Sequence, residues 1–196
     1  ITDQLFLKES GLSKDIEDYS KNNGNIFGIC GGLQMLGTIL KDPFSKEGSK
    51  NNLIQSIKGI GLLPLQTTFL EKKITRQINS ESNWPTSTEI NGFEIHNGIT
   101  KLDSSQDTSR IKPIFKDLDL GWYKENSQGG TIAGTYLHGI FENDQWRDHY
   151  INLIRKGKRL PLLDKKTRSY KIKRESIINN LANEFNKHFN LTSLLS

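Results

Sequence analysis

Apolar residues recur along this chain at helical spacing near both ends and in short runs between. From residue 4 to residue 20, Leu5, Leu7, Leu12, Ile16 and Tyr19 roughly share a face, which predicts a helix with an interruption at Gly11. Lys21-Asn22-Asn23-Gly24 is a turn signal before an apolar run at 25–30, read as a strand, and a helix is predicted over 32–40. A polar loop, Lys41 to Asn52, leads to Ile60-Gly61-Leu62-Leu63-Pro64-Leu65 and a strand through Thr67-Thr68-Phe69. Residues 71–90 are polar and hard to assign. Ile90 to Thr100 reads as a strand or strand pair, and 101–120 as loop and edge structure anchored by Ile111, Ile114 and Phe115. Gly121-Trp122-Tyr123 precedes a turn at Asn126 to Gly130, and Thr131 to His138 is strand-like again. Two helices follow: Phe141 to Lys156, with Trp146, Tyr150 and Ile154 at i, i+4, i+8, and about Arg174 to Phe189, with Ile177, Ile178, Leu181 and Phe185 as its stripe. Short strands alternating with helices favour a mixed α/β layered domain over a helical one.

Composition narrows the function classes. The 196 residues suffice for one domain with a substantial core. A single cysteine excludes a disulfide framework and a cysteine-rich metal site, and no metal is expected. The first residues lack a start methionine and a signal-peptide pattern, and no apolar stretch reaches membrane-spanning length. The expectation is a soluble, cytoplasmic protein without a membrane partner, whose natural chain begins elsewhere. The formal net charge of +5 is uneven: residues 151–196 hold 11 Lys and Arg against 3 Asp and Glu, and the remainder holds 16 against 19. Without interleaved aromatics or a binding motif, the excess reads as a solvated basic face and no nucleic-acid partner is expected. A patch for a polyanionic substrate or a partner domain is the alternative.

The lone cysteine has the most informative setting. Asn25 to Gly37 reads as a short apolar strand, a glycine-flanked turn at Cys30, and an apolar helix start. Such a turn holds a nucleophile at a sharp bend, with glycines that permit strained backbone angles and close approach of a substrate. The N–H groups of the following helix turn are expected to favour thiolate. A buried structural cysteine is the alternative.

A cysteine nucleophile needs a base. Of the four histidines, His149 lies inside an amphipathic helix and His188 near the end of the chain, and both are poor candidates. His96 and His138 each close a strand-like segment beside glycine, where a side chain can project into a cleft. His138, at the end of the last strand before a helix, suits a base; taken alone, either histidine is more often structural.

Three separated segments resemble one family. Gly28-Ile29-Cys30-Gly31-Gly32-Leu33-Gln34-Met35-Leu36-Gly37 is similar to the nucleophile segment of class I glutamine amidotransferases. Gly134-Thr135-Tyr136-Leu137-His138-Gly139-Ile140-Phe141 resembles the histidine segment of the cobyric acid synthase branch, and Gly92-Phe93-Glu94-Ile95-His96-Asn97-Gly98-Ile99-Thr100 resembles that branch's Gly-Tyr-Glu-Ile-His-x-Gly-x-Thr signature. Leu7 to Leu12, Asp42 to Gly48 and Gly59 to Phe69 match the branch in order and spacing, so the likeness covers nearly the whole chain.

The resemblance implies a class I amidotransferase fold, a doubly wound mixed sheet flanked by helices. It implies that Cys30 attacks the side-chain amide of glutamine and that His138 carries protons. The Gly31 N–H would be an oxyanion donor, with Gln34, Glu94 and His96 at the oxyanion or substrate site; for Glu94 and His96 a place at the domain interface is the alternative. A second oxyanion donor would come from a loop upstream of Ile1. The glutamate that most class I members carry two residues after the histidine is replaced by Ile140, as in the cobyric acid synthase branch. The residue orienting His138 is left open, with Glu94 or Glu142 able to serve. The whole of 1–196 would be an amidotransferase domain lacking its N-terminal strand or strands and an upstream synthetase domain. That domain would use ATP and Mg²⁺ to activate a corrinoid substrate; the chain itself has no P-loop pattern and needs no cofactor. It would sit in cis or in a partner chain. The alternatives are an amidotransferase for another acceptor, such as a cell-wall lipid precursor, and a non-catalytic interaction module.

Overall fold

In the computed structural model, which describes residues 1–47, 54–116, 118–127, 129–164 and 169–189, the strands fall into two mixed sheets flanked by helices. The first sheet runs β1 (Ile26–Ile29), β8 (Thr131–Thr135), β7 (Gly121–Glu125), β6 (Lys112–Pro113), with β1 and β8 parallel and the other pairs antiparallel. The second runs β3 (Ser56–Lys58), β2 (Ile39–Lys41), β4 (Leu65–Ser82), β5 (Thr88–Leu102), β9 (Leu137–His138), and only β2 and β4 are parallel. The helices are α1 (Thr2–Glu9), α2 (Leu12–Lys21), α3 (Gly31–Leu36), α4 (Asp144–Gly157) and α5 (Tyr170–His188). The expected mixed α/β class is therefore what the chain adopts. Its strands switch sheets at Tyr136, between β8 and β9.

Several elements differ from the reading of the sequence. The helix predicted over 4–20 is two helices, because Gly11 takes a left-handed φ of +83° and α2 starts afresh from it. The helix predicted over 32–40 stops at Leu36. Thr38 N–H donates to the Leu65 carbonyl at 2.7 Å, and Ile39–Lys41 pair with Gln66–Thr68 as a strand. The polar stretch 71–90 belongs to a long hairpin in which β4 pairs with one continuous β5. Residues 71–73 and 75–77 are exposed, so the alternation that marks a half-buried strand is missing there. Helix α4 begins three residues later than expected, after a 3₁₀ turn at Ile140–Glu142. Helix α5 begins four residues earlier, and its Ile177, Ile178, Leu181 and Phe185 stay roughly half exposed or more. Gly48–Asn52 of the polar loop, Gln128 of the turn and Lys165–Arg168 of the basic segment lie outside the described residues. Among the described residues, no helix is long and apolar enough to cross a membrane.

Two buried clusters position the strands that matter. Phe27, on β1, meets Phe141, Trp146 and Tyr150 edge-on with ring centroids 5.3–5.7 Å apart, a favoured aromatic geometry. Trp146 is completely buried, stacks on Tyr150, and donates its indole N–H to the Trp84 carbonyl at 2.9 Å. The predicted face of α4 thus clamps β1. On the other side, Leu33 and Leu36 of α3 pack with Leu63, Leu65, Trp122, Ile132 and Tyr136. A Cβ on Gly28 would lie 2.6 Å from the Gly32 carbonyl carbon, so only glycine lets α3 start this close to β1.

Candidate active site

Cys30 is the single residue between β1 and α3. Its backbone sits at φ +53°, ψ −111°, a sparsely populated conformation that costs on the order of 1–3 kcal/mol. Its N–H donates to the Thr135 carbonyl at 2.8 Å, which extends the β1–β8 pairing by one step beyond Ile29 and Thr135. Strand, strained turn and helix follow in the order the sequence predicts. A Cβ on Gly31 or Gly32 would meet nothing within 4 Å, so the space in front of the turn is open.

The thiol donates to the Ile95 carbonyl oxygen with Sγ···O of 3.5 Å. Burial pushes the Cys30 thiol above its ordinary pKa; the Gly31 N–H at the sulfur opposes this, Glu47 adds to it and Lys73 lowers it. This corrects the expectation of a thiolate-favouring turn. Helix α3 has only six residues, and desolvation outweighs the donor at its start.

His138 meets the same strand, β5. Strand β9 pairs with β5 so that Phe93 lies opposite His138 and Glu94 opposite Leu137. The Phe93 and His138 rings stack, with centroids 5.1 Å apart and planes 10° from parallel. A Cβ on Gly92 would lie 2.2 Å from the His138 carbonyl oxygen, so glycine is required where the two strands meet. Phe93 and Ile95 share a face of β5 and stand about 7 Å apart along it. One strand contacts both groups, the imidazole through the Phe93 ring and the thiol through the Ile95 main-chain carbonyl. His138 Nε2 is buried and has no hydrogen-bond partner among the described residues.

The remaining predicted residues divide between two roles of position. Gln34 is buried, and its amide donates to the Asn97 carbonyl at 3.1 Å, tying α3 to β5 two residues beyond Ile95. Glu94 and His96 point to the opposite, buried side of β5. His96 Nε2 lies 2.7 Å from Glu94 Oε1, and the other carboxylate oxygen accepts from Arg76 Nε. The His96 ring stacks on Tyr136 at 3.7 Å, and the Tyr136 hydroxyl bonds Thr100. Glu94, His96 and Tyr136 line a cavity of about 690 Å³. Glu94 is thus engaged away from His138, and Glu142 is exposed and pairs with Arg174 at 3.8 Å. His149 is exposed, 2.8 Å from the Gln145 carbonyl of its own helix, and His188 is exposed beside Glu184.

Phe93, against His138, and Arg76 and Tyr136, around the Glu94–His96 pair on the other side of β5, are residues that sequence reasoning did not single out. Their signal was present for two of them: Phe93 and Tyr136 each lie within a segment that carries a candidate histidine. A thiol on a strained turn and an imidazole with a buried, unpartnered nitrogen, both in contact with β5, are groups suited to acyl transfer through sulfur.

Comparison with known proteins bears on which acyl transfer. The model of the CobB/CobQ-like glutamine amidotransferase domain matches residues 1–146. A cobyric acid synthase of Prochlorococcus marinus subsp. pastoris (strain CCMP1986 / NIES-2087 / MED4) is 79% identical over 196 residues, covering all of this chain and 38% of the relative. The cobyric acid synthase of strain MIT 9515 is 77% identical, covering all of this chain and 39% of that protein. That of strain NATL2A is 44% identical, covering all of this chain and 38% of that protein. The chain thus spans less than two-fifths of the length of these relatives. With its residues 1–146 matched and its whole length aligned, the chain belongs to the CobB/CobQ-like glutamine amidotransferase domain family.

Proposed function

We propose that this chain hydrolyses glutamine through Cys30 and His138 and supplies the ammonia for amidation of adenosylcobyrinic acid a,c-diamide to cobyric acid in cobalamin biosynthesis. The observation that carries the reading is β5, with the Cys30 thiol on the Ile95 carbonyl and the His138 ring on Phe93, two residues apart. In this reaction the thiol proton passes to His138 Nε2 as Sγ bonds to the amide carbon of glutamine. His138 then gives that proton to the departing nitrogen, and ammonia leaves as the thioester forms. Water attacks the thioester, His138 takes its proton and returns it to sulfur, and glutamate is released. The Gly31 N–H, at the start of α3, would donate to the developing oxyanion.

The cobyric acid synthase name of the similar proteins supports the acceptor. By this reading the rest of such a protein is the synthetase domain, in cis, where ATP and Mg²⁺ activate the corrinoid carboxylates. Among the described residues β1 pairs on one side only. Its outer edge suits a strand from outside residues 1–196, whose loop would bring the second oxyanion donor. A thiol resting on a carbonyl fits slow hydrolysis by the chain alone.

The test is intact mass after exposure to a glutamine-mimicking electrophile, together with glutaminase turnover, for the wild-type chain with and without the remaining domain. One adduct, competed by glutamine, absent in Cys30→Ala and slowed in His138→Asn, is the expected result. Full turnover by either variant would sink the Cys-His reading. Turnover without corrinoid amidation by the complete protein would redirect the acceptor.

A further inference from the structure

Among the described residues, His138 carries no carboxylate partner. Ile140 occupies the position two residues on, Glu94 is bonded to His96 and Arg76, and Glu142 pairs with Arg174. What the imidazole does have is a ring: Phe93, its cross-strand partner, stacked 10° from parallel at 5.1 Å. We propose that Phe93 is a positioning residue for His138, holding the imidazole plane in place of a carboxylate. The inference rests on the proton-transfer role given to His138 above.

Three observations carry it. Phe93 is 47% exposed, in a chain that buries most of its large aromatic side chains outside α5, so core burial does not account for it. The approach is built into the backbone, since the residue before Phe93 is a glycine whose Cβ would strike the His138 carbonyl oxygen. The chemistry also fits: a cation over an aromatic face is attracted by the ring quadrupole, and His138 becomes a cation when it accepts the thiol proton. The stack therefore fixes two of the ring's rotational freedoms and gains strength at the step where charge develops. A hydrogen-bonding partner would set the tautomer as well. Among the described residues His138 Nε2 has no hydrogen-bond partner, which leaves it open for the proton transfer proposed above.

The experiment compares Phe93→Ala, Phe93→Leu and Phe93→Tyr in the complete protein carrying this chain. Readouts are glutaminase kcat and KM, and the rate at which Cys30 is labelled by a glutamine-mimicking chloroketone. A loss of about tenfold in kcat and in labelling rate is expected for both Ala and Leu, with KM within about twofold. Tyr, which keeps the π face, is expected to retain kcat within about twofold. A purely structural role would instead be satisfied by Leu, so wild-type kcat in Phe93→Leu overturns the proposal. So does a loss confined to KM. Cys30→Ala and His138→Asn run alongside: if either keeps full turnover, or wild-type Cys30 is not labelled, the reading of the dyad falls and this inference with it. If both abolish turnover and Phe93→Ala does not lower it, the inference alone falls.

Discussion

The Cys30 thiol donates to the Ile95 carbonyl oxygen across 3.5 Å, while its own N–H is fixed 2.8 Å from the Thr135 oxygen. A carbonyl partner stabilises the protonated thiol, and burial works in the same direction. Alkylation of Cys30 by iodoacetamide should therefore rise with pH through a midpoint above about 8.5, the value of a free cysteine. Glutamine binding that turns the sulfur toward His138 should lower that midpoint. A pH–rate profile of alkylation in the free protein settles the first point; a midpoint below that of free cysteine would mean the sulfur does not rest on Ile95.

Gly92→Ala tests the junction of β5 and β9. The added Cβ would lie 2.2 Å from the His138 carbonyl oxygen, far inside van der Waals contact, and the strands must part. Overpacking of this kind costs about 1–3 kcal/mol. The displacement falls on the Phe93–His138 pair, so glutaminase kcat should drop by about tenfold or more at temperatures where the variant is folded. Denaturant unfolding and turnover measured side by side check this. A stable variant with unchanged kcat would show that the close approach at Gly92 does not position His138.

The strand–turn–helix around Cys30 was legible because apolar run, glycine pair and helix start are all local signals. The same holds for α4, whose Trp146, Tyr150 and Ile154 spacing matches its buried face. The break at Gly11 was visible as a glycine, but its left-handed angle, which splits one helix into two, was not. The β4–β5 hairpin escaped because its outer residues are solvated on both faces, and pairing across 65–102 is a long-range property. The site followed the same division. Cys30 and His138 could be named from their turns and their family likeness. That Ile95 and Phe93 hold them, and that burial raises the thiol pKa, depends on β5 crossing between the two segments, and no local pattern encodes that.

Asp103, at the end of β5, gives a pH prediction. Its carboxylate accepts from Ser105 at 2.6 Å and from Thr38 at 2.8 Å, and these donors hold its pKa down to about 2. An unfolded aspartate titrates near about 3.9, so the folded state favours the charged form. The contribution is complete above about pH 4 and is lost as pH falls through about 2. Wild type should therefore exceed Asp103→Asn in stability at pH 7 and pH 5, and the gap should close between about pH 4 and pH 2. Urea unfolding at several pH values reads this directly. A gap that stays constant down to pH 2 would assign the effect to shape rather than charge.

Trp146 connects the core to the nucleophile. It is completely buried, its indole N–H is bonded to the Trp84 carbonyl, and its ring meets Phe27 edge-on at 5.7 Å, one strand step from Gly28 and three from Cys30. Trp146→Ala should cost about 3–5 kcal/mol, the range for emptying a large aromatic site. The cost should not stop at stability. With Trp146 gone, Phe27 keeps its edge contacts to Phe141 and Tyr150 alone, and β1 loses part of the clamp that sets the strained turn at Cys30. Alkylation of Cys30 under native conditions should then proceed faster than in wild type, because relaxation of the turn lets the sulfur leave the buried carbonyl. Trp146→Phe, which keeps an edge for Phe27 but not the indole donor, should fall between the two in both measurements. Equal alkylation rates in Trp146→Ala and wild type, with the expected stability loss, would show that the turn is held by Thr135 and α3 without the aromatic cluster.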